Sequence, residues 1–551
     1  MSEQKPSKAL FWGCFIALIT TGFAFVGRLE LLGVWGAEFN LDKQQLGILA
    51  GIGIWPFAVS IILFSLFIDK IGYKTAMLFA CASHIIWAVL GVSAYFISKG
   101  GNTELAYNLL VVGSLIAALG NGSVEAFINP VVATIYSKEK TKWLNILHAA
   151  WPGGLVLMGL IVILLSVVAK DAPWAINVGI IAVPAVIYGL MLIGQKFPVS
   201  ERVSSGVSYR DMLGEFGAFG ALVTGTLVGL QISIFCKEAG LAGDLSQRAA
   251  WIIGILVGVI SAVAMGIYTK SLGRPLMAVL ILIMMPLAIT EIGTDGWITE
   301  AMAAFAEQNS FPPVAVLIYT SLIMLVLRFF AGPIVKALTP LGLLIVSALL
   351  AIAGLNWLSV AEAGMLIVAA TLYGLGKTFF WPTMLGIVSE QTPKGGALTL
   401  NAISGIGMLA CGAIGFPLLG LFQINTQKTE LVESEFVSSN LPAIVETVDG
   451  VPTLKTVSET EGLFGSYSTV DSDAIAAEIA KIQDKDKAEK LTEEVASIAE
   501  LSPKHSLAKI AIFPIAMLIG FIGLFVYFKS KGGYKPVDIG EYTGGVEGAV
   551  E

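Results

Sequence analysis

A glutamate stands in the middle of a long apolar run at position 125, with asparagines four residues before and four after it. Helix positions i−4, i and i+4 share a face, so Asn121, Glu125 and Asn129 stack into one polar stripe. A carboxyl group that alternates between dry and wet surroundings can take up and release a proton, because burial disfavours its charge. Proton coupling is the chemistry this placement suits, and a buried acid bonded to a neighbouring helix for packing alone is the plainer alternative. Further on, Asn145, His148 and Trp151 recur at intervals of three. An amide, an imidazole and an indole in such a series can hold a polyhydroxylated ring by hydrogen bonds and stacking, or can act as glue between helices.

The second half of the chain has a lysine in mid-run, Lys377, followed by Phe380, Trp381 and Pro382. Proline inside a helix removes a hydrogen bond and kinks the chain, so a bent aromatic surface is expected beside the cation. Lys377 can meet an anionic solute group, a carboxylate or a second helix. Trp381 and Asn401 are expected on the same path. Arg28 and Glu30 are two apart in the first apolar run, on different sides of a helix, and cannot simply neutralise each other. Glu30 is therefore a second candidate for coupling. Arg328, close to the end of its run, is expected to snorkel or to serve a gating or structural role. Glu291 reads as either a gate residue or a solvated rim acid.

Other chemistries find no support. His84, His148 and His505 are too scattered for a metal site, and neither a phosphate-binding glycine loop nor a Ser-His-Asp spacing appears. No enzyme activity, metal, cofactor or nucleic-acid partner is expected. Cys14, Cys81, Cys236 and Cys411 lie in or at the ends of apolar runs without CxxC spacing, and read as packing residues.

The composition dictates what must position these groups. Apolar residues make up 56% of the chain and charged residues 13%, too little charge to cover a protein of this size in water. Lipid is the solvent that fits. A bilayer core of ~30 Å needs ~20 apolar residues per helix. Such runs occur near 10–36, 46–68, 75–98, 105–136, 143–169, 173–195, 211–236, 249–270, 275–293, 313–337, 341–360, 363–389, 398–422 and 507–528. The first has a short polar start and no small-residue cleavage site, so it reads as a span rather than a removable signal. Loops on one side hold seventeen basic residues, from Lys5 and Lys8 to Lys529, Lys531 and Lys535. Short loops on the other hold five: Lys43, Lys99, Lys170, Lys237 and Arg248. That bias places both termini in the cytoplasm, and it needs an even number of spans.

Gly120-Asn121-Gly122, Pro130 and Leu144-Asn145 are echoed in order by Gly374-Leu375-Gly376, Pro382 and Leu400-Asn401. Two six-helix halves with two helices inserted between them account for the echo. The loop Ser65-Leu66-Phe67-Ile68-Asp69-Lys70-Ile71-Gly72-Tyr73-Lys74 resembles the G-x-x-x-D-[RK]-x-G-[RK] signature of the major facilitator superfamily, with Ser65 in place of its first glycine. Arg328-Phe329-Phe330-Ala331-Gly332-Pro333 looks like the eighth-helix counterpart. The resemblance implies gating or structural roles for Asp69, Lys70, Gly72, Lys74 and Arg328. The run from Gly120 to Pro130 resembles the G-x-G-x-x-E-x-x-x-N-P stretch of the fucose–galactose–proton symporter family, and Leu144-Asn145-Ile146-Leu147-His148 resembles the start of that family's fifth helix. This implies a place on the solute path for Glu125 and Asn145, and proton coupling for Glu125. The family's first-helix carboxylate is displaced here, where Arg28-Leu29-Glu30 stands in the matching stretch. The family also has twelve helices and no loop as long as 423–506.

The expected fold is an all-α polytopic membrane protein of the major facilitator type. Residues 1–195 form one bundle, 196–274 a linker with two extra spans, 275–422 the second bundle, 507–528 its last helix and 529–551 a cytoplasmic tail. The intervening 423–506 carries sixteen Asp or Glu and seven Lys. Within it, 473–501 reads as one exposed amphipathic helix, with Ile475, Ile479 and Ile482 on one side, in an outward cap or spacer. The resemblance implies a secondary carrier in the cell membrane, moving a sugar-like solute with a proton or sodium. Arg28 and Lys377 suggest instead an organic anion or peptide. A sensor that binds solute without moving it is the alternative from another class.

Overall fold

A backbone crossing lipid has no water to bond, so each crossing must satisfy its own N–H and C=O groups, as a helix does. The computed structural model describes residues 7–169, 172–243, 245–448 and 450–539. Lys5, Lys170 and residues 540–551 of the tail lie outside the described residues. Among the described residues, thirteen helices and one bent pair are long and apolar enough to cross a membrane. In chain order the first eight are α1 (Lys8–Phe39), α2 (Gln44–Ile71), α3 (Tyr73–Lys99), α4 (Thr103–Ile135), α5 (Ser137–Val168), α6 (Ala175–Ile193), α7 (Tyr209–Glu238) and α8 (Gln247–Thr269). There follow α9 (Pro275–Thr299), α10 (Ala315–Phe329 and Ala331–Leu338, bent by 74°), α11 (Pro340–Val360), α12 (Gly364–Gln391) and α13 (Pro393–Glu433). Beyond the acidic segment with its helices α14 (Ser472–Ile479) and α15 (Lys485–His505), α16 (Ile512–Ser530) is the last crossing. Each apolar run read from the sequence is one of these helices.

The first half is α1–α6, and the second is α9–α13 with α16. Within the first, α1 and α5 touch backbone to backbone: a Cβ at Gly154 would stand 2.3 Å from the Ile19 carbonyl oxygen. The inserted pair uses the same device twice. Gly225 and Gly229 of α7 face Gly254 and Gly258 of α8, two small-xxx-small repeats in register, and a Cβ at Gly229 would lie 3.0 Å from Gly254 Cα. Close approach of this kind stands in for the hydrophobic drive that helices lack in lipid. The halves meet where α2 packs on α13, and where α5 packs on both α10 and α12.

The acidic segment differs from its reading as one exposed helix. It is a small folded unit with two antiparallel hairpins, β1 (Val445–Val448) with β2 (Val451–Leu454) and β3 (Val457–Gly462) with β4 (Gly465–Val470). The stretch expected to be one helix is two. Asp471 caps α14 by accepting from Ala474 N at 2.9 Å, and Asp484 restarts the chain as α15 by accepting from Lys487 N at 3.2 Å. Ile475 and Ile479 point not to solvent but into a core with Leu431, Ile444, Leu454 and Leu491. The unit rests on the inserted pair, where Trp251 donates to Leu463 O at 2.7 Å. It also rests on the second half, where Lys504 lies over Phe305 at 4.8 Å.

Candidate functional site

Three prolines prepare the centre of the molecule. Each removes an amide donor and so leaves the carbonyl four residues earlier without its helical partner. Pro130 in α4 frees Ala126 O, which accepts from Asn401 Nδ2 of α13 at 2.9 Å. Pro152 in α5 frees His148 O, and Pro382 in α12 frees Thr378 O. One guanidinium takes both: Arg328 donates to His148 O at 2.7 Å and to Thr378 O at 2.6 Å. Carbonyls released in lipid must find donors, and here the donors come from other helices and tie the two halves together.

Around these ties lies a small cavity between the halves. Its walls include Glu125, His148 and Trp151 from the first half, and Glu291, Arg328 and Trp381 from the second. Asn129 Nδ2 donates to Glu125 Oε2 at 2.7 Å, and Asn129 Oδ1 faces His148 Nε2 at 2.9 Å. The amide is thereby oriented: its NH₂ serves Glu125, so its oxygen accepts from His148, and a neutral His148 carries its hydrogen on Nε2. Asn129 Nδ2 also reaches Asn401 Oδ1 at 3.5 Å. No cation pairs with Glu125 among the described residues.

The acids of the second half are placed otherwise. The helix of α9 opens into a π turn at Ile289–Gly293, which carries Glu291. Glu291 accepts from Arg328 Nη2 at 2.7 Å on one oxygen and from Trp381 N at 2.9 Å on the other. One turn on, Asp295 forms an ion pair with Lys377, whose ammonium also lies over Tyr373 at 5.3 Å. Both charges of that pair are buried and neither lines the cavity.

The sequence-derived residues therefore separate. Glu125, His148, Trp151 and Trp381 come together on the cavity wall. Lys377 lies off it. Asn145 bonds Thr383 Oγ1 of α12 at 3.2 Å and Thr141 O at 2.8 Å, and Asn401 is engaged with α4; both are ties between halves. Asn121 lines a neighbouring cavity, with its Oδ1 on His84 Nε2 at 2.8 Å. Glu30 is half-buried and lines neither space. Arg328 does not snorkel: it is 1% exposed, held inward by Glu291 and the two freed carbonyls. Glu291, left open between gate and rim, is a cavity residue, and Asp295 was missed. Asp295 could have been found by asking which acids on α9 neutralise the cations on α10 and α12, since it lies four residues beyond Glu291 on one helix face.

At the end of the molecule bearing the basic loops, the halves are shut. Glu390 Oε1 accepts from Thr141 N at 3.1 Å and Thr141 Oγ1 at 2.5 Å, and Glu390 Oε2 accepts from Tyr534 at 2.8 Å. Lys140 pairs with Glu201 at 2.5 Å. Asp69 pairs with Arg202 at 2.6 Å, and Lys70 lies over Tyr209 at 4.9 Å. Gly72 turns the loop with φ 83°, a backbone region that favours glycine, and Lys74 is exposed.

No protein-family model and no curated protein matches the sequence. Solved structures do. The major facilitator superfamily proton:xylose symporter XylE, bound to 6-bromo-6-deoxy-D-glucose, superposes with TM-score 0.51 at 15% identity, over 75% of this chain and 88% of that one. The E. coli fucose:proton symporter FucP gives 0.50 at 16% identity, over 92% and 99%. The human organic anion transporter MFSD10 gives 0.50 at 12% identity, over 94% and 100%. Likeness at this level establishes the fold: the chain is a multi-pass membrane protein whose helical spans have the major facilitator architecture.

Proposed function

We propose that the chain is a secondary carrier that moves a sugar-like solute together with a proton, by rocking its two halves about the central cavity. The observation that carries this reading is Glu125, a buried carboxyl on the cavity wall with one amide partner and no cation. Such a group can be protonated in place. Its partner Asn129 also holds His148 and reaches Asn401, so loading Glu125 is felt on α4, α5 and α13 at once. Trp151 and Trp381, from opposite halves, offer faces against which a sugar ring can stack. Two of the structural neighbours are sugar:proton symporters by name, which supports the same reading at the level of fold. We place the basic-loop end in the cytoplasm and the protein in the cell membrane, on the loop charges. The structure then represents a state closed to the cytoplasm.

The test uses proteoliposomes screened with sugars and sugar acids under imposed pH and sodium gradients. Glu125→Gln keeps the shape of the group and mimics its protonated form. It is expected to abolish accumulation against a gradient while solute exchange across the membrane persists, since exchange needs no proton release. Wild-type accumulation by Glu125→Gln under a pH gradient would move the coupling elsewhere. Binding without accumulation by the wild type, in every gradient, would favour the sensor reading instead.

A further inference from the structure

Among the described residues four cations are buried within the spans, and three of them have counter-charges: Arg328 has Glu291, Lys377 has Asp295, and Lys140 near the start of α5 has Glu201. The fourth does not. Arg28 in α1 is 6% exposed, and no carboxylate pairs with it among the described residues. Its Nη1 donates to Leu49 O and Ala50 O, both at 2.9 Å, where α2 breaks before Trp55. Those carbonyls fix the guanidinium, which lies so close to Gly53 that a Cβ there would meet Cζ at 2.1 Å. The Nη2 atom is buried with no partner. Leaving a charged donor unsatisfied in a dry interior is costly, and the position is accordingly a place that favours an anion.

The surroundings complete a site. Arg28 borders a small cavity together with Ser114, Asn121, Phe25, Phe57 and Trp87. Ser114 Oγ is also buried without a partner. Asn121 has its oxygen committed to His84, whose other nitrogen faces Tyr188 OH at 3.0 Å. The side-chain NH₂ of Asn121 has no such commitment. Three donors thus converge on one space, from α1 and α4. Ser114, Asn121 and Glu125 follow one another on a single face of α4 at helical spacing, and Phe57 borders both cavities. A solute lying along α4 would meet Arg28 at one end and Glu125 at the other.

We propose that the Arg28 cavity receives the carboxylate of the solute, so that the transported molecule is a hydroxylated organic acid, a sugar acid rather than a neutral sugar. The proposal rests on the carrier reading above and adds a charge balance. Arg28 and Glu125 are the two charges of the cavity walls without an opposite partner. Empty, the carrier crosses with both ionised and offsetting each other. Loaded, the carboxylate offsets Arg28 and the proton neutralises Glu125. Both states carry the same net charge, so symport of one acid with one proton is electroneutral. A neutral sugar would leave Arg28 uncompensated in the loaded state and make transport respond to voltage.

The experiment measures uptake and binding by the full chain in liposomes. D-glucuronate, D-galacturonate and D-gluconate are compared with D-glucose and D-galactose, and chloride and phosphate serve as inorganic competitors. The acids are expected to be preferred at least tenfold, with uptake driven by a pH gradient and indifferent to an imposed potassium diffusion potential. Arg28→Gln should lower affinity for the acids tenfold or more and erase the preference, while Arg28→Lys keeps part of it. Gly53→Ala, which displaces the guanidinium without altering its charge, should weaken acid binding in the same direction, and it carries the test with Arg28→Lys if Arg28→Gln does not fold. Preference for the neutral sugars overturns the proposal and leaves the carrier reading standing. So does an equal loss for acids and sugars in the Arg28 variants, or competition by chloride or phosphate as strong as by the acids. The absence of both accumulation and exchange for every solute would overturn the carrier reading itself.

Discussion

Lys377 and Asp295 pair in the second half without touching the cavity, and Asp295 Oδ2 is left buried without a partner. Removing one member of a buried pair strands the other charge, at a cost on the order of 3–5 kcal/mol. Lys377→Met and Asp295→Asn are each expected to lower thermal stability in detergent by that amount. Lys377→Met combined with Asp295→Leu should recover most of it, because two apolar side chains leave no stranded charge. Solute preference should not change in any variant that folds. Selective loss of acidic solutes in Lys377→Met, with stability intact, would put the lysine on the solute path after all. Arg328 lines the cavity yet has the same character: its donors are taken by Glu291, His148 O and Thr378 O. Of Arg28, Arg328 and Lys377, only Arg28 has a buried side-chain nitrogen without a hydrogen-bond partner.

Among the elements, α5 and α12 make the closure at the basic-loop end, and Gly386 is a point of close approach between them. A Cβ on it would stand 2.3 Å from Thr141 Oγ1 and 2.7 Å from Thr141 Cα. Overpacking of this sort costs about 1–3 kcal/mol, enough to shift a two-state equilibrium by roughly five- to more than a hundredfold. Gly386→Val should therefore prop this end open. Spin labels on cysteines at the exposed positions Glu139 and Lys394 are expected to show a longer distance in Gly386→Val than in the parent. An unchanged distance distribution would mean that the contact does not control closure. The broken helices serve the same motion, since the bend in α10 and the π turn in α9 bring Arg328 and Glu291 together from different helices. Discontinuous spans of this kind are where carriers place their sites.

For the whole molecule, the fourteen crossings, the basic loops and the folded acidic unit make one topological claim. The proposed placement of both termini in the cytoplasm would put the unit built on β1–β4 outside. In a cysteine-free background, Ser466→Cys on β4 should react with a membrane-impermeant thiol reagent applied to intact cells. Ser204→Cys, between the first half and α7, and Gly532→Cys, after α16, should be protected until the membrane is opened. Labelling of Gly532→Cys from outside would make the number of crossings odd and overturn the fourteen-span scheme. The unit touches α8 and the second half through Trp251 and Phe305, and so should move with that half.

Hydropathy and period are local properties, and what depends on them was legible in the residues. The crossings, the repeat that divides them and the stripe of Asn121, Glu125 and Asn129 need only the length of an apolar run and the helical spacing. The loop signature at Asp69–Lys74 and the fourth-helix run from Gly120 to Pro130 carried the architecture for the same reason. Partnerships across the chain were not legible. Asn145 reaches Thr383, and Lys377 reaches Asp295, over separations of 238 and 82 residues. Which of several polar groups meet is decided by how helices rotate and bend as they pack, and that rotation leaves no periodic trace. The acidic segment shows the limit from the other side. Its alternation of charge with Ile475 and Ile479 reads as a surface helix, and only hairpins brought over it turn that face into a core. Arg28 was visible as a cation in an apolar run. That it has no counter-charge among the described residues follows from knowing where the other buried cations of the spans have gone, which tertiary structure alone determines.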